Sequence, residues 1–183
     1  MTVGLKKVAA ICIIRCGTKY LLMKRYNEPN IGMFVPAGGK LEPYETPLAA
    51  AIRETYEEVG LQLNEMQFCG ILTETLPTKY NWISYIYLAD VPYFDAPICN
   101  EGEFYWINIQ DFSKYPMPPT DYLIYKYVTD NQRFILDAEL DEDLNLISMR
   151  NELLGNIESR ESKVQIESNT ESRESKIESA NRE

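Results

Sequence analysis

Two apolar runs open the chain, residues 7–15 and 19–25, separated by Cys16-Gly17-Thr18. The first holds seven consecutive apolar residues, Val8 to Ile14, too few to cross a bilayer and suited to a buried strand. The pair predicts a strand, a tight turn and a second strand. Lys6 and Lys7 before the first run resemble the start of a signal peptide, but no small-residue cleavage site follows. Residues 26–46 are rich in Pro, Gly, Asn and Glu and read as a long loop. Thr46-Pro47 then opens a helix, with Thr as N-cap and Pro in the first turn. Leu48, Ala51, Ile52, Thr55, Tyr56 and Val59 recur at helical spacing, and Gly60 is placed to end the helix in a left-handed conformation. Residues 66–75 and 81–91 are β-rich and aromatic, and a short strand follows around 105–109. Residues 121–130 predict a second helix with Leu123, Ile124, Tyr127 and Val128 on one face. Residues 134–140 and 144–149, joined by Asp141-Glu142-Asp143, predict a hairpin. The pattern suits an α/β domain, a mixed sheet covered by helices.

Residues 157–183 break this pattern. They hold seven acids, five bases and six serines but only four aliphatics larger than alanine, and Glu-Ser-Arg-Glu-Ser-Lys occurs at both 158–163 and 171–176. Such a segment cannot bury enough surface to offset its ordering entropy, and its aliphatics keep no heptad. The expected organisation is one domain over 1–156 and a low-complexity, disordered or weakly helical tail over 157–183.

Composition narrows the chemistry. The 183 residues contain no histidine, so triads, Cys-His dyads and His-ligated zinc are excluded within them. A net charge of −10 is a poor match to the phosphate backbone of a nucleic acid polymer. It leaves room for phosphate substrates held through a divalent cation. Cys12, Cys16, Cys69 and Cys99 form no Cys-x-x-Cys pair and are expected to be free, buried thiols in a reducing, cytoplasmic setting. No membrane association is expected.

The most informative segment runs from Gly39 to Leu61. Glu54, Glu57 and Glu58 stand at i, i+3 and i+4, so their side chains share one helical face within about one turn. They occupy the last turn before Gly60, where the helix dipole and their mutual repulsion each disfavour them by on the order of 0.3–1 kcal/mol. A solvated acidic face is the plain alternative. A hard cation resolves the conflict, since Mg²⁺ takes carboxylate oxygens, keeps several waters and leaves room for phosphate. It also acidifies a bound water, whose proton a nearby carboxylate can take. Gly38-Gly39 offers backbone that a ligand can approach closely.

This segment resembles the Nudix box, G-x5-E-x7-R-E-U-x-E-E-x-G-U with U a bulky aliphatic. Gly39, Glu45, Arg53, Glu54, Glu57, Glu58, Gly60 and Leu61 fall at matching positions, and Thr55 replaces the first aliphatic. Thr55 keeps a methyl group, so a small loss of stability rather than of activity is expected. The resemblance implies a Nudix α/β/α sandwich with a mixed β-sheet, and hydrolysis of a nucleoside diphosphate linked to another moiety with Mg²⁺ (or Mn²⁺). It implies Glu54, Glu57 and Glu58 as catalytic metal ligands, with Glu54 doubling as base. The Gly38 carbonyl would add a ligand, and Glu45 with Arg53 would shape the loop around Gly39. One further glutamate is implied from a later loop, Glu101 in preference to Glu103. Arg25 or Lys40 would assist the leaving oxygen.

The substrate is less marked. Pro118-Pro119-Thr120-Asp121 resembles the W-P-D-D segment of MutT-like oxidised purine nucleoside triphosphatases, with Asp121 facing the purine edge; a helix N-cap is its alternative role. Pro77, with Pro36-Ala37-Gly38, resembles ADP-ribose pyrophosphatases. Phe34, Tyr80, Trp82 and Tyr85 could stack on a base or belong to the core. The partner implied is a small-molecule nucleotide, most readily a nucleoside triphosphate, with ADP-ribose or a dinucleotide as alternative. A homodimer is the one protein partner considered. A non-catalytic nucleotide-binding module on the same scaffold is the alternative of a different class.

Overall fold

The computed structural model describes residues 4–78 and 81–159. Strands β1 (Lys7–Cys16) and β2 (Lys19–Arg25) form the predicted hairpin around Gly17, whose φ of 60° the turn requires. The stretch expected to be a plain loop contains two further strands, β3 (Phe34–Val35) and β4 (Ala37–Lys40). Helix α1 (Pro47–Val59) has Thr46 as N-cap, its hydroxyl accepting from the Ala49 amide at 3.3 Å, and Gly60 as left-handed C-cap at φ 74°. Then come β5 (Gln67–Thr75), β6 (Trp82–Asp90), β7 (Gly102–Asn108), a 3-10 turn (Ile109–Lys114) and helix α2 (Pro119–Thr129). The predicted hairpin is β8 (Phe134–Leu140) and β9 (Leu146–Asn151), and a final strand, β10 (Asn156–Ser159), pairs with β9.

Among the described residues ten strands join one sheet in the order β10-β9-β8-β5-β6-β1-β2-β3, with β4 paired to β1 and β7 to β2. The β1–β6 and β5–β8 pairs are parallel and the rest antiparallel, so the sheet is mixed as expected. The boundary expected at 156/157 falls inside β10; residues 160–183, the bulk of the expected tail, lie outside the described residues.

Alternation along the central strands builds two cores. Cys12, Ile14, Leu21 and Met23 pack with Ala50, Ala51 and Val59 of α1, while Ile13, Tyr20 and Leu22 pack with Ile124, Tyr125 and Val128 of α2. The sheet is therefore covered on both faces, the α/β/α arrangement. Alanines at 50 and 51 let α1 sit close enough for the Cys12 thiol to reach the Ala51 carbonyl at 3.3 Å. All four cysteines are free; Cys12 and Cys69 are buried, but Cys16 and Cys99 are only half-buried, short of the burial expected for them.

Thr55 is fully buried in the α1 core, and its hydroxyl meets the Met66 sulfur at 3.9 Å. Its other partner is the Cys12 thiol, and sulfur is a weak hydrogen-bonding partner, so much of the hydroxyl's desolvation is uncompensated. Thr55→Val, which keeps the shape and removes the hydroxyl, is expected to raise stability by about 1 kcal/mol. That corresponds to a Tm roughly 2–4 °C higher by calorimetry for a chain of this size.

Candidate active site

The geometry begins at β4. Gly38 and Gly39 pair with Ile11 and Ala10 of β1. Gly38 has φ 143°, and a Cβ there would run into the Ala10 carbonyl. A Cβ on Gly39 would run into the Glu54 carboxylate. The two glycines thus let bare backbone lie directly against the acidic face of α1. The Gly38 amide donates to Glu58 Oε2 at 2.9 Å.

Arg53 organises the neighbouring acids. Its Nε donates to Glu45 Oε1 at 2.9 Å and its Nη2 to Glu45 Oε2 at 3.0 Å, a two-point grip across the loop–helix junction. Nη1 donates to Glu54 at 2.8 Å and to Glu57 at 2.9 Å, and Nη2 also reaches the Lys40 carbonyl at 3.1 Å. The Glu42 amide donates to Glu45 as well. The hydrogen bond from Arg53 holds the Glu45 carboxyl below the usual carboxylate range.

The helix carboxylates behave oppositely. Burial pushes Glu58 up to about 7, with Glu101 and Glu54 adding repulsion against the relief given by the Gly38 amide. Burial also raises Glu54, opposed by Arg53 and reinforced by Glu57 and Glu101. Glu101 precedes β7 and ion-pairs with Arg25 of β2 at 3.3 Å. Its charge acts on both Glu54 and Glu58, whereas Glu103 is engaged with the Tyr105 hydroxyl.

Glu54, Glu58, Glu101, Arg25, Arg53, Glu45, Gly38 and Gly39 are therefore brought together. Lys40 contributes its backbone carbonyl, and its residue is exposed at the end of β4. Phe34 is not an open stacking surface. It is buried, with its ring edge-on to Tyr105 and Tyr115, so its expected substrate contact gives way to a core role. Asp121 does not cap α2, which starts at Pro119 and has no side-chain cap bond. It is 6% exposed, lies against Glu74 and Thr120, and its Oδ2 has no hydrogen-bond partner among the described residues. Glu74 carries no motif, and nothing in the local pattern of residues marks its burial beside Asp121.

No three acidic side chains converge as a ready-made cation cage among the described residues, because Arg53 draws Glu54 and Glu57 towards itself. The donor set nevertheless fits a hard divalent ion: carboxylate oxygens on one helical face, two of them raised by burial and mutual repulsion, beside glycine backbone.

The NUDIX domain model matches residues 5–128, and the chain belongs to the Nudix family. Its fold is that of a Nudix hydrolase, a class that acts on phosphoric anhydride bonds. An uncharacterized Nudix hydrolase of Bacillus subtilis, YvcI, is 28% identical over 127 residues, 66% of this chain and 78% of that protein. The m7GpppN-mRNA hydrolase NUDT17 of Bos taurus is 40% identical over 68 residues, which are 34% of this chain and 22% of that protein. In fold the chain is similar to the MutT protein of Bacillus halodurans, with a TM-score of 0.71 at 23% identity over 80% of this chain and 98% of that one. It is also similar to the NUDIX domain of Shewanella oneidensis NrtR complexed with ADP ribose, with a TM-score of 0.61 at 14% identity over 69% of this chain and 88% of that one. No helix among the described residues is long and apolar enough to cross a membrane.

Gly39→Ala is expected to displace the Glu54 carboxylate and lower hydrolytic turnover by about 10²-fold, with the circular dichroism spectrum retained. Burial, and then the Glu74 charge, hold Asp121 well above the usual carboxylate range. Its contribution to stability is therefore full below the unfolded pKa near ~3.9 and is lost as pH rises towards the folded value. Asp121→Asn, which cannot ionise, is expected to melt several degrees higher than wild type at pH 8. The gain should vanish near pH 4 when the two melting curves are compared across pH.

Proposed function

We propose that this chain is a divalent-metal-dependent pyrophosphohydrolase of small nucleotides, with a nucleoside triphosphate as the substrate and Mg²⁺ or Mn²⁺ as the ion. One observation carries the reading: Glu54, Glu58 and Glu101 repel one another beside the Gly38–Gly39 backbone, and among the described residues Arg53 relieves Glu54 while Arg25 relieves Glu58 and Glu101. Glu54, Glu57, Glu58 and the Gly38 carbonyl would hold the metal, and Glu101 would complete the set in preference to Glu103. When bound, the ion supplies charge neutralisation for the phosphates and acidity for the attacking water.

The remaining work falls to the chain's own side chains. Glu54 is positioned by the Arg53 guanidinium and partly desolvated, which raises its proton affinity and suits it to accept a proton from water. Arg25 can turn from Glu101 towards a phosphate oxygen, and exposed Lys40 stands at the end of β4 to meet the leaving group. Glu45 and Arg53 keep the loop before α1 in place. The complete acidic set supports catalysis over a binding module, which would not need Glu54 as a base.

Glu54→Gln is expected to reduce metal-dependent turnover by at least ~10²-fold while leaving the Tm within a degree or two. Near-normal turnover would remove Glu54 from the chemistry. Phosphate or pyrophosphate release should be followed over canonical and 8-oxo nucleoside triphosphates, ADP-ribose, NADH, dinucleoside polyphosphates and m7GpppN, with Mg²⁺ and with Mn²⁺. The proposal expects the triphosphates to be turned over fastest. No turnover with either ion would return the chain to the binding-module reading.

A further inference from the structure

On the α1 side the helical cover is shorter than the sheet beneath it. Helix α1 packs on β1, β4 and β6. Beyond β6, among the described residues, the α1-side positions of β5 and β8 are left open. Phe68 is 41% and Ile135 39% exposed, whereas Leu72 and Leu136, on the α2 side of the same strands, are buried. Strand register makes the open side chains neighbours. Tyr85 of β6 pairs with Ile71 of β5, and Ile71 pairs with Ile135 of β8. One row along, half-exposed Val8 of β1 pairs with Ile83 of β6. Charge enters further out, where Asp137 of β8 pairs with Arg150 of β9. A strand that shows one face to water ordinarily carries polar side chains there. This face is instead apolar at its centre and charged at its rim, the composition of a contact surface.

The adjoining flank of α1 has the same character. Ile52 and Tyr56, one turn apart, lie across the helix from Glu54 and Glu58. Ile52 packs on the same core cluster as Tyr85, which places this flank beside the open strands. Tyr56 is 59% exposed in mid-helix. At its foot is an open concavity of about 460 Å³, lined by Ala49, Ile52, Arg53, Tyr56, Gln62 and Leu63.

We propose that this face is a homodimer interface, in which the α1 flank of each copy, led by Tyr56, seats on the open β5–β8 surface of the other. A helix standing beside bare sheet forms a step, and two such steps are self-complementary about a two-fold axis along their border. One contact then covers both apolar surfaces. The widths agree: the three strand spacings from β6 to β9 span about 14 Å, and a helix with its side chains is about 10–12 Å across. The areas agree as well. Tyr56 and Phe68 alone leave on the order of 200 Å² open, and with Val8, Ile135 and their half-buried neighbours the apolar patch reaches roughly 500 Å², the upper range for a monomer. Two copies would bury about twice that, and the polar rim brings the total to the roughly 1,200–2,000 Å² of a standard interface. The inference does not rest on the nucleotide reading.

The test is sedimentation velocity of the full chain over about 0.1–100 μM, a range that brackets a micromolar Kd, with tyrosine nitration mapped by mass spectrometry alongside. Wild type should sediment as a dimer at the upper concentrations. Phe68→Glu and Ile135→Lys should each raise the dimer Kd by at least about tenfold, with circular dichroism retained. Phe68 also meets the Tyr87 ring edge-on, so Ile135→Lys carries the test if Phe68→Glu unfolds. Ile31→Lys, at an exposed apolar position of the β2–β3 loop, should leave the dimer unchanged. Tyr56 should be shielded from nitration in the wild-type dimer and modified in monomeric Ile135→Lys as readily as fully exposed Tyr44. A wild type that stays monomeric throughout, or a dimer that survives Ile135→Lys, would overturn the proposal. So would Tyr56 shielded in the monomeric variant, since the chain would then cover its own face.

Discussion

One guanidinium makes the acidic end of α1 tolerable. Three glutamates in the last two turns of a helix, two of them in the final turn, meet one another and the negative end of its dipole, and no residue of the final turn is basic. Arg53 answers from within the same helix, reaching Glu54 and Glu57 with one nitrogen while the other two close on Glu45 and the Lys40 carbonyl. A lysine could not do this, because a point charge on a flexible stem offers no planar fork to serve several acceptors at fixed angles. The same contacts fasten the loop before α1 to β4, so the backbone beside the acids is fixed by the side chain that neutralises them. Fold and chemistry depend here on one residue, and a cation entering the site would compete with it for Glu54 and Glu57.

That competition accounts for the mixed state of the carboxylates. Glu45, fully gripped, is held in its ionised form, whereas Glu54 and Glu58 retain a raised proton affinity. Arg53 offsets the repulsion enough for the helix to form and leaves enough of it unrelieved for the face to favour a dication. The glycines complete the arrangement from the other side, since any side chain at 38 or 39 would push β1 or Glu54 away.

Much of this was legible in the sequence because it is written in local periodicity. β1, β2, α1, β5, β6, α2 and the β8–β9 hairpin follow from apolar spacing and caps, with ends shifted by a few residues. β3 and β4 were not legible. Ala37-Gly38-Gly39-Lys40 carries no strand propensity, and its extended form comes from pairing with β1, a contact distant in sequence. β10 is likewise a strand by virtue of β9. The acids of α1 and their partner Arg53 could be read off because helical spacing alone places them. Glu101 could only be guessed between two candidates, and its position is fixed by the pairing of β7 with β2. Phe34 stayed open between stacking and core because aromatic identity says nothing of which rings surround it. Glu74 gave no signal, since its meaning depends on α2 folding back over the sheet.

The acids of α1 and the Glu74–Asp121 pair stand in different surroundings. Around α1 the carboxylates stand among arginines, Arg53 and Arg25, which ion-pair with Glu45, Glu54 and Glu101. Such a group tolerates, and responds to, large changes of charge. Around Glu74 and Asp121 the hydrogen-bonding side chain is Thr120, the Tyr125 hydroxyl has no partner among the described residues, and burial is deeper. A bare cation could enter there only after losing most of its hydration, with few oxygens to replace it.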